Sequence, residues 1–263
     1  MSKTILPICG SIGIQSYGFF VVLGILAAYW LILRDPRIKK VISADKFKNV
    51  ILAAILSGVI GGRLLYIVEE PSSIKSFFDI FKIWEGGMSS LGSILAILLV
   101  LPLYLRKINV NIVRFFDVLG VYAPLTYAIA RIGCFFAGCC FGSKTNLPWA
   151  VIYKHSDSVA PLCQYLHPAQ LYSSAASFMI FLLMYFVISK KLLKTGQLIC
   201  SYLLLAGVER FCIDFVRGDK TYFSTYGMLS KLSTSQWISL LIVLASLVTL
   251  LLITFLGRKN KNK

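Results

Sequence analysis

The sequence predicts an all-α membrane protein, a bundle of about seven transmembrane helices with its N-terminus outside and its C-terminus in the cytoplasm. Three observations predict it. Of 263 residues, 57% are hydrophobic and only 14% charged, with a mean hydropathy of +0.78; a soluble domain carries about 25% charge. Seven runs approach the length of about 20 apolar residues that crosses a bilayer. Lysine and arginine gather in alternate connections between those runs, as the positive-inside rule requires.

The first run is Tyr17–Leu33. No short apolar stretch with a small-residue cleavage site marks it as a signal peptide, so it is expected to remain as a span. The loop Arg34–Lys48 holds six Lys/Arg and leads to the second run, Val50–Val68. The segment Ser72–Trp84 is too short and too polar to span. Its Phe77, Phe78, Ile80, Phe81, Ile83 and Trp84 set against Lys75, Asp79 and Lys82 predict an interfacial amphipathic piece. The third and fourth runs, Ser89–Leu105 and Val118–Gly133, have soft edges where Gly and Ser sit. Leu171–Ser189, Leu198–Phe215 and Trp237–Leu256 complete the set.

Seven crossings put the termini on opposite sides. Sixteen of the 27 Lys/Arg fall in segments 34–48, 105–114, 190–194 and 257–263. That side is expected to be cytoplasmic, which leaves segments 134–170 and 216–236 on the outer face. The net charge of +16 is read as topology. Nucleic-acid binding would need a soluble basic face, and no soluble domain is predicted. No internal repeat or linker divides the chain, so residues 1–263 are expected to form one domain.

Charge inside a span costs about 2.5–3.5 kcal/mol on insertion scales, so each such residue needs a reason. Arg63, Arg131, Arg210 and Arg217 stand within or at the outer ends of spans. Glu209 and Asp214 lie beside the last two. Arg210, Asp214 and Arg217 have helical spacing and would share one face. Arg217 is expected to pair with a carboxylate, chiefly Asp214, with Asp219 also near. Arg131 has no acid close in sequence. Guanidinium groups gathered at one membrane face suit bidentate phosphate binding, and the abundant phosphate there is a lipid headgroup.

The stretch Arg131-Ile-Gly-Cys-Phe-Phe-Ala-Gly-Cys-Cys-Phe-Gly142 adds glycines that permit close backbone approach. Glycine at a helix end is also commonly a plain cap. His167-Pro-Ala-Gln-Leu-Tyr172 opens the fifth run, where His167 is a candidate helix cap or proton acceptor. With His155 the only other histidine, and Cys139 beside Cys140, no zinc spacing emerges. No metal and no cofactor are expected.

Taken in order, these motifs resemble the bacterial prolipoprotein diacylglyceryl transferases. Ser16-Tyr17-Gly18 is similar to the family's Tyr-Gly. Gly61-Gly-Arg-Leu-Leu-Tyr66 resembles Gly-x-Arg-Leu-x-Tyr, and Trp84-Glu-Gly-Gly-Met-Ser89 resembles Trp-x-Gly-Gly-Met-Ser. The Arg131 stretch resembles the signature Arg-Ile-Gly-Asn-Phe-x-Asn-Gly, with Gly142 on its last glycine. His167-Pro-x-Gln-Leu-Tyr172 matches its counterpart, and Arg210-Phe-x-x-Asp-Phe-x-Arg217 resembles Arg-x-x-x-Glu-x-x-Arg. Leu91 stands where the family has a histidine. Cys134, Ala137 and Cys139 replace two Asn and a Glu, which is similar to a cysteine-bearing branch of the family.

The resemblance implies an enzyme of the bacterial cytoplasmic (inner) membrane, multi-pass, with its site toward the outer side. It would transfer the diacylglyceryl group of phosphatidylglycerol, or a related phospholipid, to the lipobox cysteine of a prolipoprotein, and bind no nucleic acid. It implies catalytic roles for Arg131, Arg210, His167 and Tyr17, with His167 or Tyr17 as the base in place of the missing histidine. Arg63, Arg131, Gly142, Arg210 and Arg217 would bind phospholipid; Cys134, Gln170, Tyr172 and Asp214 would support the site. A bridge from Cys139 or Cys140 to Cys163 would most simply staple the loop 143–162, since disulfides persist on the outer face; free thiols used as small apolar residues are the alternative. Two other functions fit the same residues. One is a transferase with another acceptor or a cysteine-based mechanism. The other is a lipid-binding protein without catalysis.

Overall fold

The computed structural model describes residues 4–9, 12–71, 87–155, 158–192, 194–222 and 232–259. The expected amphipathic piece Ser72–Trp84 lies outside these residues. Two short strands, β1 (Thr4–Cys9) and β2 (Ile12–Gln15), pair antiparallel with register shifts. They add a hairpin to the otherwise helical chain. The helices are α1 (Ser16–Arg34), α2 (Pro36–Lys39), α3 (Ala44–Glu69), α4 (Ser90–Lys107), α5 (Ile112–Ala137), α6 (Ala169–Leu183), α7 (Ser189–Lys191), α8 (Gln197–Asp214) and α9 (Thr234–Lys259). A π-turn, Met184–Ile188, carries α6 into α7 without a break in the apolar run.

Each of the seven predicted runs is helical. Among the described residues, five helices are long and apolar enough to cross a membrane: Ser16–Arg34, Ala44–Glu69, Ile112–Ala137, Ala169–Lys191 and Thr234–Phe255. α4 and α8 are 18 residues each. Leu52, Leu56, Ile60, Leu98, Leu99, Met179, Leu241 and Phe255 are all more than half exposed. Apolar surface on that scale fits a lipid solvent and not water.

The chain divides into two compact units, Asp35–Phe115 and Met1–Arg34 with Phe116–Lys263. In the first, α3 and α4 meet through Gly61 and Gly92. A Cβ on Gly61 would collide with the Ala96 Cβ and lie 2.7 Å from the Gly92 carbonyl oxygen, so the backbones touch in the manner of small-residue membrane interfaces. Ser89 caps α4, its Oγ accepting from Gly92 N–H at 3.5 Å. Asp35 caps α2 by accepting from Arg37 N–H at 2.8 Å.

In the second unit, side-chain hydrogen bonds tie helices that carry few formal charges. Thr126 Oγ1 donates to the Gly24 carbonyl (3.3 Å), joining α5 to α1. Ser174 Oγ donates to the Ala128 carbonyl (2.8 Å), joining α6 to α5. Buried Asp117, on α5, accepts from the backbone N–H groups of Gly196 (2.6 Å) and Ile199 (2.9 Å) at the start of α8. A neighbouring helix thus supplies the acceptor that the first turn of α8 lacks. At the opposite end, the C-terminal turns of α5 and α8 meet the N-terminal turns of α6 and α9. The connection from Gly138 to His167 folds over that end. It is stitched by bridges Gly142–Arg217, Lys144–Leu166, Val151–Leu166 and Tyr153–Leu162, and it packs Phe141 and Val151 against buried Tyr153, Ala160 and Leu166.

Candidate active site

Arg131 lies near the end of α5, one helical turn after Tyr127. Its Nη2 donates to the Tyr127 hydroxyl and its guanidinium carbon lies 4.6 Å from the Tyr127 ring centre. Its Nε is buried with no acceptor among the described residues. Arg210, on the last turns of α8, donates through Nη2 to Ser235 Oγ at 2.8 Å and lies 3.5 Å from the Asp214 carboxylate. Its Nη1 is likewise buried without an acceptor among the described residues. Buried N–H groups nearly always have partners. Two orphaned guanidinium donors at one end of a bundle therefore point to an anionic ligand.

Arg210 lines two cavities, and Arg131 is bonded to Tyr127, which lines the first of them. A cavity of about 210 Å³ is lined by Pro124, Tyr127, Ser177, Tyr202, Glu209 and Arg210 among others. Another, of about 240 Å³ between α8 and α9, shares Tyr202, Ala206 and Arg210 and adds Ser235, Ile238 and Ile242. Tyr127 bonds Arg131 and faces the first cavity; Arg210 faces both. The walls are mainly apolar. Glu209 is buried there and accepts from Ser173 Oγ at 2.5 Å.

Several expectations need correction. α8 ends at Asp214, so Arg217 is not on a helix face shared with Arg210. Arg217 instead makes a two-point bond to Asp219, both contacts at 2.8 Å, because the chain turns at Phe215 and bridges to Gly142. Asp214 serves Arg210 and accepts from the Ser233 hydroxyl. His167 does not cap α6: the cap position is Pro168, with no side-chain bond. The imidazole rests edge-on to Tyr172 with centres 6.1 Å apart, and its buried Nδ1 has no partner among the described residues.

The cysteines also differ from the spacing argument. Cys134, Cys139, Cys140 and Cys163 are all free thiols here, and Cys163 is exposed. Cys139 and Cys140 group with Cys134, the three sulfurs lying within 4.8 Å of one another, so the bridge to Cys163 is not formed. The adjacent pair gave no zinc spacing in the sequence; with Cys140 left-handed (φ +57°), both sulfurs lie beside that of Cys134. Hydrogen bonds from the Cys134 and Cys139 thiols, then the charges of Arg131 and Arg217, hold the Cys140 thiol well below the ordinary thiol range. Hydrogen bonding with the Cys134 and Cys140 sulfurs, then burial, pushes Cys139 up.

The remaining residues frame the site. Gln170, buried, donates to the Cys139 carbonyl (2.8 Å) and to the Tyr153 hydroxyl (3.2 Å). Burial pushes the Tyr153 phenol up to about 12. The Tyr172 hydroxyl accepts from Trp149 Nε1 at 2.6 Å. A Cβ on Gly142 would collide with the carbonyl oxygen of His167 and lie 2.5 Å from its Cβ, which gives this glycine a packing reason. Tyr17, half exposed, opens α1 beside the end of α5, where Phe20 stacks on Phe136 at 5.5 Å. Arg63 belongs to the other unit and donates to the Gly87 carbonyl at 2.8 Å, with its guanidinium 5.5 Å from the Tyr66 ring.

Helices long and apolar enough to cross a bilayer, beside a mainly apolar cleft that Arg210 lines, fit a helical membrane protein. The chain belongs to the prolipoprotein diacylglyceryl transferase family, whose description matches residues 3–252. It is 38% identical over 234 residues to the phosphatidylglycerol–prolipoprotein diacylglyceryl transferase of Clostridium tetani, covering 88% of this chain and 90% of the relative. It is 31% identical over 250 residues to the enzyme of that name numbered 2 in Clostridium perfringens, covering 94% of each. With the Bordetella avium protein of that name the identity is 30%, over 92% and 91% of the two chains.

Proposed function

We propose that this chain transfers the diacylglyceryl group of phosphatidylglycerol to the lipobox cysteine of a prolipoprotein, the reaction its relatives are named for. It works as an integral enzyme of the bacterial inner membrane with seven crossings. Its amino end is outside, its carboxyl end is cytoplasmic, and its site opens toward the outer face.

One observation carries this reading. Arg210, with one buried donor lacking an acceptor among the described residues, lines a mainly apolar cleft, and Arg131, with another such donor, is bonded to Tyr127 of its wall. A phospholipid has the complementary form, a phosphate above two apolar tails. Arg131 and Arg210 hold the phosphodiester. As the acceptor sulfur attacks the glyceryl carbon, the carbon–oxygen bond breaks and negative charge grows on the departing glycerol phosphate. Fixed guanidinium donors in a water-poor site stabilise that charge most where it develops. Tyr127, Ser235 and Asp214 orient the two arginines. Glu209, bonded to Ser173, lines the same cavity. His167 and Tyr17 are the residues at this end able to take the thiol proton.

The test is diacylglyceryl transfer to a synthetic lipobox peptide by purified protein in phosphatidylglycerol vesicles, read by mass spectrometry. A mass gain of one diacylglyceryl group on cysteine is expected. An unmodified peptide with folded protein would refute the reading.

A further inference from the structure

The mechanism above leaves three thiols unused beside its central arginine. We propose that Cys134, Cys139 and Cys140 are the three protein ligands of a divalent zinc-class ion whose open fourth position takes the thiol of the acceptor cysteine. The identity of that acceptor rests on the transferase reading.

The geometry is the first support. Zinc–sulfur bonds of about 2.3 Å in a tetrahedron set the sulfurs about 3.8 Å apart. The three sulfurs lie within 4.8 Å of one another, so a contraction of no more than about 1 Å completes the set. Successive side chains of an extended backbone point to opposite sides. Here Cys140 adopts φ +57°, a conformation unusual outside glycine, and both sulfurs reach Cys134.

The surroundings are the second support. Gln170, itself buried, holds the Cys139 carbonyl at 2.8 Å. Such contacts fix ligand direction. Three thiolates and a divalent cation carry a net charge of −1, and Arg131 stands three residues before Cys134 on α5, a spacing that makes the two neighbours on the helix surface. The third support is the number of ligands. No fourth Cys, His, Asp or Glu joins the group among the described residues. Structural zinc sites close with four protein ligands, whereas catalytic ones keep a position open.

This arrangement supplies what Leu91 leaves missing. A thiol that binds zinc is deprotonated outright. On coordination the acceptor cysteine gives up its proton, which His167 or Tyr17 takes. Its sulfur then forms the sulfur–carbon bond, the carbon–oxygen bond breaks, and the electron pair leaves on the phosphate monoester held by arginine. The thioether, a weaker ligand than a thiolate, is released.

The experiment uses full-length protein in detergent. Zinc content, cobalt(II) absorption and thiol alkylation are measured with and without a lipobox peptide. We expect one zinc per chain, a sulfur-to-cobalt charge-transfer band, and protection of three thiols by zinc in the unmutated protein. The cysteine peptide should shift the cobalt ligand-field bands and its serine analogue should not. Cys134→Ser, Cys139→Ser and Cys140→Ser should each lose stoichiometric metal, while Cys163→Ser keeps it. No zinc protection in the unmutated protein overturns the site, and cobalt bands indifferent to the peptide overturn the open position. Full transfer rate in zinc-stripped protein overturns the metal step and leaves the transferase standing. Metal binding with the thiol response but no transfer overturns the transferase reading and leaves the site standing.

Discussion

Replacing Arg131 by Lys keeps the charge and removes the planar fork. In the structure one terminal nitrogen of Arg131 is committed to the Tyr127 hydroxyl, and Nε is left without an acceptor. A single ammonium cannot serve Tyr127 and also grip a phosphate at two points. Losing one donor to the developing charge costs about 10²–10³ in rate, about 2.7–4 kcal/mol. Losing the Tyr127 bond costs about 1 kcal/mol more. Tyr127→Phe isolates that smaller part and should slow transfer only about fivefold. The assay is the initial rate of diacylglyceryl transfer to a lipobox peptide, with all proteins at matched folded concentration. Because charge is retained, kcat should fall more than KM for the lipid rises. Equal rates for Arg131→Lys and the parent protein would remove Arg131 from phosphate stabilisation, and with it the centre of the mechanism.

Arg217→Lys should be the milder change, because Asp219 already occupies the Nε–Nη2 edge of that guanidinium; Asp219→Asn should reproduce its effect on rate. Gly142→Ala should lower the yield of folded protein and its melting temperature, since the added methyl meets the His167 backbone; size-exclusion and thermal scans in detergent measure it. Asp117→Ala unpairs two backbone N–H groups at the start of α8. That costs about 2 kcal/mol or more, a fall of about 4–8 °C, with the pattern of lipid preference unchanged. Cys163 should alkylate in non-reducing buffer, and a need for reductant would restore the staple to Cys139 or Cys140.

The helices were legible because bilayer length and apolar continuity are local properties. All seven runs, from Tyr17–Leu33 to Trp237–Leu256, fall on helices, with edges that move by a turn or so. Arg131 and Arg210 were legible for a similar reason, since charge in an apolar run is conspicuous anywhere. The partners were not. Tyr127, Ser173 and Ser235 are ordinary residues in span sequences, and only packing makes them anchors for Arg131, Glu209 and Arg210. The pairing of Arg217 followed helical spacing in the sequence, but the helix stops at Asp214 and gives the residue to Asp219. The cysteine group depended on the sign of one backbone angle at Cys140, which residue spacing does not encode. The signal within reach was the density of thiols beside a buried arginine.

The cleft between α8 and α9 has an open side. Leu203, Ile238 and Ile242 line it and are each more than a third exposed. A lipid entering there can leave its tails among its neighbours and bring only its head to Arg210. Nothing in such a slot measures how long or how unsaturated those tails are. A bacterium that remodels its fatty acids with temperature or diet would then need no matching change in this enzyme. Mutational tolerance should follow the same division: the rim can drift among apolar residues of different size, while the few polar atoms around the guanidinium groups are held in place.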